Sequence, residues 1–333
     1  MSNAVALRWL WGMIFMLLMA LVLAASQGAV SLSLRQLWLQ PLDSMEWQIW
    51  LTIRLPRVLL AILIGMALAV SGCVMQGLFR NPLADPGLLG ISSGAGLAVA
   101  LAIIMPLSLP ALLALWLPMA AAFAGSLLTT LLIFSLSRLA YGSLSRLLLV
   151  GIALNALCGS AVGVLSWLSN DQQLRQLSLW GMGSLSQAQW PAVILCAILI
   201  LPALVMICRF AARLNLLQLG EEDAHYAGMD VARTQRLLLI LSALLVGTAV
   251  SVSGIIGFVG LVVPHLMRFL LGSDHRWLLP GSALAGAILL LIADTLARTL
   301  VIPAEMPVGL LTSLLGGPWF LWQVIRQQRS AYV

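Results

Sequence analysis

The sequence contains no lysine: all seventeen of its basic residues are arginine. A phosphate-gripping P-loop needs a lysine to reach the nucleotide phosphates. The chain therefore holds no ordinary ATP-hydrolysing loop, and any ATP that drives it is hydrolysed on another polypeptide. Charge of either sign is scarce, at 8% of the 333 residues, against about 25% in a soluble domain. So few polar groups cannot cover a water-facing surface, and lipid must be the solvent. Cysteine is scarce too. Cys73, Cys158, Cys196 and Cys208 stand singly inside apolar segments, with no pair at metal-ligand spacing. They read as small core residues. The three histidines, His225, His265 and His275, make no metal pattern either. No HExxH, no GxSxG and no carboxylate pair set for catalysis occurs, which leaves an enzyme without a constellation to work with.

What is there is apolar: 62% of the residues are hydrophobic. They come in long continuous runs, not in the ~10-residue alternating segments of a β-barrel. Each spanning helix takes roughly 20 such residues. The chain reads as an all-α polytopic membrane protein, one transmembrane domain over 1–333, with ten spans. These are expected at about 9–25, 58–78, 88–106, 112–134, 147–168, 191–208, 237–256, 258–271, 278–300 and 307–325. The first follows Arg8 and reads as an uncleaved span, since so many follow it, although Ala24-Ala25-Ser26 would serve as a signal-peptide cleavage region. With the N-terminus in the cytoplasm, twelve arginines fall at inner ends and five (Arg35, Arg54, Arg57, Arg175 and Arg298) at outer ends. That is the positive-inside bias. It places both termini in the cytoplasm, and it explains the formal charge of +6 without nucleic acid.

The chain echoes itself. Gly65, Ser71, Gly72 and Pro82 recur at an offset of 182 as Gly247, Ser253, Gly254 and Pro264. The spans around them start on opposite sides of the membrane, which is the mark of an inverted repeat and common in transporters. The halves are expected at roughly 1–170 and 190–333.

Four segments carry candidate function. The largest cytoplasmic stretch is 209–236. Within it Gly220, Glu221, Glu222, Asp223, Ala224 and His225 read as a short helix with acids in its first turn, where they complement the helix dipole. Gly228 suits the left-handed position after it, and Asp230 can cap a second helix that carries Arg233 and Arg236. Such a segment is either a rigid lever for a soluble motor or an ordinary structured loop. Arg80 to Gly87, with two prolines and a glycine, makes a fixed turn that offers Asn81 and Asp85. Arg54, Arg57 and Arg298 run against the positive-inside bias. They either dock an acidic partner protein or snorkel to the interface, and Arg298 can pair with Asp294 four residues before it. Gly151, Asn155, Gly159 and Gly163 put small residues on one helix face, for close packing or for a pore wall.

Taken together, these residues resemble a known family. Ile53 to Arg57, Ser71-Gly72, Gln76, Asn81 to Gly90, Gly257 to His265, and Asp294 with Arg298 resemble the FecCD permeases, the membrane subunits of importers for iron-siderophores, haem and vitamin B12. The resemblance runs the length of the chain, and within the family it is to haemin permeases. It implies the type II ABC importer fold, a bacterial inner-membrane homodimer, two cytoplasmic ATPase subunits and a periplasmic binding protein. It implies haem as cargo, with a ferric siderophore or cobalamin as the alternative. No cofactor is implied on this chain, and ATP is implied on the partner. It assigns Arg54, Arg57 and Arg298 to binding-protein docking and 220–230 to ATPase coupling. Asn81 and Leu83, with Ser143, Leu144 and Ser145, match an inner gate. Leu144 departs from the hydroxyl residues found there in the B12 permease. Span five is implied to line the path, which favours the pore reading of Asn155, Gly159 and Gly163. The rival is a gradient-driven transporter with Asp85, Asp294 and Glu305 as carriers.

Overall fold

The computed structural model describes residues 3–28, 41, 43–105, 110–139, 144–301 and 304–331. Ser143 lies outside them, and the side chains of Leu144 and Ser145 are likewise not described. Helices are the secondary structure throughout the described residues. In chain order they are α1 (Asn3–Ser26), α2 (Met45–Leu78), α3 (Ile91–Ile104), α4 (Ala111–Leu139), α5 (Leu144–Leu168), α6 (Asp171–Gly181), α7 (Trp190–Arg209), α8 (Ala211–Leu219), α9 (Glu221–Tyr226), α10 (Val231–Ser253), α11 (Val259–Leu271), α12 (His275–Thr299) and α13 (Val308–Ala331). The ten expected spans fall on α1–α5, α7 and α10–α13. By length and composition, α1, α2, α4, α5, α7, α10 and α12 can each cross a membrane.

α2 begins earlier than the expected residue 58. A π-helical turn at Trp50–Arg54 joins the short Met45–Ile49 helix to Leu55–Leu78. Pro56 has no N–H to donate and would break a regular ladder. The wider turn before it lets the chain arrive without a break, as such turns do inside α-helices.

α3 and α11 have 14 and 13 residues, about 20 Å at 1.5 Å per residue. A hydrocarbon core is ~30 Å thick, so neither crosses it alone. Each is preceded by chain outside any α-helix: Asn81–Gly90, with a 3-10 turn at Pro86–Leu89, before α3 and Gly254–Phe258 before α11. Such backbone survives in a membrane only when protein covers it: Ala84, Pro86, Leu89 and Gly90 before α3 and Gly254 and Ile256 before α11 are buried, while Asn81–Leu83 are exposed. Gln76, 2% exposed on α2, donates through its amide to the Leu261 carbonyl at 3.1 Å.

The order long, short, long, long in α2–α5 recurs in α10–α13. The two runs pack crosswise, α2 on α12 and α10 on α4. Small residues permit the approach. A Cβ on Gly286 would strike the Gly65 carbonyl, and one on Gly247 would meet Ser126. The 182-residue echo does not hold as a register of elements. Pro82 sits in the connection after α2, whereas Pro264 lies inside α11. The starts of α3 and α11 are 168 apart, since 259 − 91 = 168. The connection after α10 is shorter than the one after α2, which shifts every later element.

Candidate functional site

Two polar clusters lie at opposite ends of the bundle, joined by α2 and α12. At one end Arg57, in the first turn of α2 after its π-turn, meets Asp294 near the end of α12. Its Nε donates to both carboxylate oxygens at 3.1 and 2.9 Å, and its Nη2 donates to Oδ1 at 3.0 Å. Nη1 reaches Glu305 Oε2 at 2.8 Å. Asp294 is 1% exposed and Arg57 7%. The pair is therefore a buried, bidentate, charge-assisted contact. Arg298 stands behind it, with Nε 3.9 Å from Asp294 Oδ2.

Arg54 and Arg298 turn toward α1. Arg54 Nη1 donates to the carbonyls of Ala25 at 3.0 Å and Ser26 at 2.8 Å, and Arg298 Nη2 donates to that of Ala24. The last carbonyls of a helix have no partner within it, and cations are favoured there. The two arginines thus hold the end of α1, a helix that otherwise exposes much of its surface, including Trp11, Phe15 and Leu18. The sequence places these arginines on one side of the membrane but does not show their depth. All three side chains are covered, so none offers its guanidinium at the surface of the single chain. The foreseen Asp294–Arg298 pair exists, but Arg57 is the closer partner of Asp294.

At the other end lies the acidic segment, and its local expectations hold. α9 carries Glu221, Glu222 and Asp223 in its first turn. Gly228 has φ 85°, and Asp230 Oδ1 accepts from the Arg233 N–H at 2.9 Å. Ala224 is fully buried while Tyr226 is 85% exposed. The expected second short helix is instead the start of the long α10, so Arg233 and Arg236 ride its first turns. Gln235 Nε2 ties it to Glu221 at 3.0 Å. α8 is an element the sequence reading missed. Its Asn215 donates to Asp274 Oδ1 at 2.6 Å and accepts from the His275 N–H at 2.9 Å, fixing α8 to the start of α12.

Between the acidic segment and the turn after α2 lies a cleft of about 760 Å³, lined by Phe79, Arg80, Asn81, Leu148 and Gly220–Asp223. Asn81 closes the turn on itself: its Oδ1 accepts from the Leu83 N–H at 2.9 Å. Leu83 is 43% exposed. Asp85 is set at the start of the Pro86–Leu89 turn. Burial pushes its carboxyl up to about 6, against the opposing pull of the Gly87 N–H. Asn155 does not point into open space. It donates to the Gly87 carbonyl at 3.2 Å and accepts from the Ser93 hydroxyl. Gly151 backs the same turn, whereas a Cβ on Gly159 or Gly163 would touch nothing. The expected stripe is thus packing at one end and open face at the other. Among the described residues no cluster of three or more His, Cys, Asp or Glu could hold a metal.

Residues 16–326 match the FecCD transport family. The chain belongs to the FecCD family. It is 63% identical over 331 residues to the hemin transport system permease protein HmuU of Yersinia pestis, covering 99% of both chains. It is 43% identical over 322 residues to the vitamin B12 import system permease protein BtuC of Vibrio vulnificus, covering 96% of this chain and 95% of that one. Its structure matches a metal-chelate type ABC transporter in an inward-facing conformation with a TM-score of 0.87 at 34% identity, over 96% of this chain and 99% of the other. The expected fold class and family stand. In FecCD terms, then, this permease joins a covered arginine–carboxylate lock at one end of α2 and α12 to a projecting acidic helix at the other.

Proposed function

We propose that the chain is the haem-translocating permease of an ABC importer in a bacterial inner membrane. The observation that carries this reading is the end-to-end likeness, at 63% identity, to a hemin permease. Two copies form the path, α9 with Gly228 seats on a separate ATPase, and both termini lie in the cytoplasm. That orientation puts the Arg57–Asp294 lock on the outer side, where a binding protein meets the rim the three arginines hold in shape. The turn from Asn81 to Gly90, with Leu83 at its exposed edge, sits between α9 and α5 as the inner gate. The same geometry disfavours two of the three candidate carriers of a gradient-driven transporter: Asp294 is taken by two arginines and Glu305 by one.

The test is reconstitution of the permease in liposomes with its ATPase and its hemin-loaded binding protein. The expected result is vanadate-sensitive hemin uptake that stops without the ATPase. Uptake driven by a proton gradient in the permease alone would overturn the proposal.

A further inference from the structure

Phe258 and Arg80 are the non-glycine residues with positive φ among the described residues, Phe258 at 66°. The left-handed region penalises any residue with a Cβ and is an outlier for a bulky one. An aromatic residue stays there only if its surroundings hold it, and such positions cluster at functional sites. Here Phe258 immediately precedes α11, and its side chain is held by α13. A Cβ added to Gly316 would lie 2.6 Å from Phe258 Cβ and 2.7 Å from Cγ, and one on Gly317 would lie 3.8 Å from the ring tip.

Those two glycines precede Pro318 in the middle of α13. Proline removes the N–H that would bond back to Leu314, and paired small residues are where helices bend. The segments on either side have separate anchors. Before the hinge, the Gly309 N–H donates to the Gly183 carbonyl at 3.2 Å. After it, Gln323 Nε2 lies 3.3 Å from His265 Nε2, and the Trp319 ring lies 6.0 Å from the His265 ring. The second segment is therefore tied to α11, whereas the first is anchored at Gly183.

The far end of α11 leads to the α8 contacts. Gln218 donates to the Ser273 carbonyl at 3.3 Å, next to the Asn215 bonds to Asp274 and His275. α8 continues through Gly220 into α9. α11 is thus a short rod that begins at Phe258 and runs at its other end into the Ser273–His275 connection, which α8 holds. The first half of the chain has the same arrangement without a ring. There Gly90, at φ 77°, precedes α3 and faces Gly151 and Asn155 of α5.

We propose that Phe258 is a positioning residue for transport, a wedge that turns movement of α11 into bending of α13 at Gly316-Gly317-Pro318. The inference rests on the permease reading above and names the residues through which a push on α9 reaches the path.

The test uses the full complex with its ATPase in liposomes, native cysteines replaced, and spin labels at positions 310 and 321, both exposed on α13. The expected wild-type result is a change in the label–label distance when ATP and vanadate are added. Phe258→Gly should abolish that change and slow hemin uptake tenfold or more. Glycine relieves the backbone at this φ but gives up the packing of the ring, so the comparison is made at a temperature where the melting curve shows the variant complex folded. Phe258→Asn, also tolerated in the left-handed region, repeats the test on an independent side chain. Phe258→Tyr, which keeps the ring, should restore both signals. A Phe258→Gly complex with the wild-type distance change and uptake overturns the inference, as does a wild-type complex that transports with no distance change. A wild-type complex with neither ATP-driven uptake nor a distance change removes the permease reading itself, and the inference with it.

Discussion

Asp294 and Arg57 show what a charge costs inside a membrane protein. Each is nearly devoid of water contact, and each is tolerable because the other is there. Removing one partner of a buried pair leaves an uncompensated charge and costs ~3–5 kcal/mol, while replacing both by apolar groups is often neutral or better. Arg57→Met is therefore expected to destabilise by up to about that amount in denaturant titrations of the purified protein, less what Arg298 at 3.9 Å still compensates, and adding Asp294→Leu is expected to recover only part of it, because the buried Arg298 then loses its carboxylate. Glu305→Gln should cost only ~0–1 kcal/mol, since that side chain is 46% exposed and solvent screens it. Asp85 makes a pH-dependent case. Its folded value of about 6 lies above the ordinary 3.8, so ionisation opposes the fold. The penalty is absent below pH ~4, grows between the two values and is fully present above pH ~6, at roughly 3 kcal/mol for about two units. Asp85→Asn should raise the melting temperature at pH 7.5 and do progressively less toward pH 4. An equal gain at both pH values would contradict a carboxylate origin. At this scale the sequence shows which side a charge lies on, because counting arginines at span ends requires no fold. It does not show depth: that Arg57 rather than Arg298 is the closer partner of Asp294 follows from two helices 237 residues apart meeting in space.

Helices meet in this protein where side chains vanish. A Cβ on Gly286 would fall on the Gly65 carbonyl and on Ala69 Cβ at 2.5 Å. The obstacle is partly backbone, which cannot swing aside. Overpacking typically costs 1–3 kcal/mol, and a clash with a carbonyl belongs at the upper end. Gly286→Ala should lower the melting temperature and the yield of assembled complex, whereas Gly12→Ala in α1, with nothing within 4 Å of the added carbon, should do neither. The contrast tests whether α2 and α12 act as one beam between the Arg57–Asp294 lock and the α8 contacts. Long elements were legible because a spanning helix announces itself by apolar length alone. Short ones depended on local chemistry. α9 was readable from three acids, a glycine and an aspartate at fixed offsets. α8, nine residues with no side-chain cap hydrogen bond, carried no such mark. The register between the halves was misread because four matched residues cannot show that one connecting loop is shorter than the other.

At the scale of the whole molecule the question is which exposed apolar surface faces lipid and which faces the path. Both α1 and α5 are barely covered: 22% of the most apolar stretch of α1 is buried and 17% of that of α5. Exposure alone cannot separate them, since lipid accepts any apolar face and a path for a large, flat, apolar cargo needs one too. Glycines separate them by experiment. Gly163 on α5 and Gly12 on α1 both have open space where a side chain would go, so a large residue fits at either without disturbing the fold. Replacing glycine inside a helix also adds helix propensity, so neither change should lower stability. If α5 walls the path of the dimer, Gly163→Trp narrows it, and hemin uptake in the reconstituted complex should fall at least tenfold with melting temperature and ATPase activity retained. Gly12→Trp, facing lipid, should leave uptake unchanged. Equal uptake in the two variants would turn α5 outward and move the path to another face of the bundle. Loss in both would mean that α1, held by Arg54 and Arg298 at its end, also borders the route.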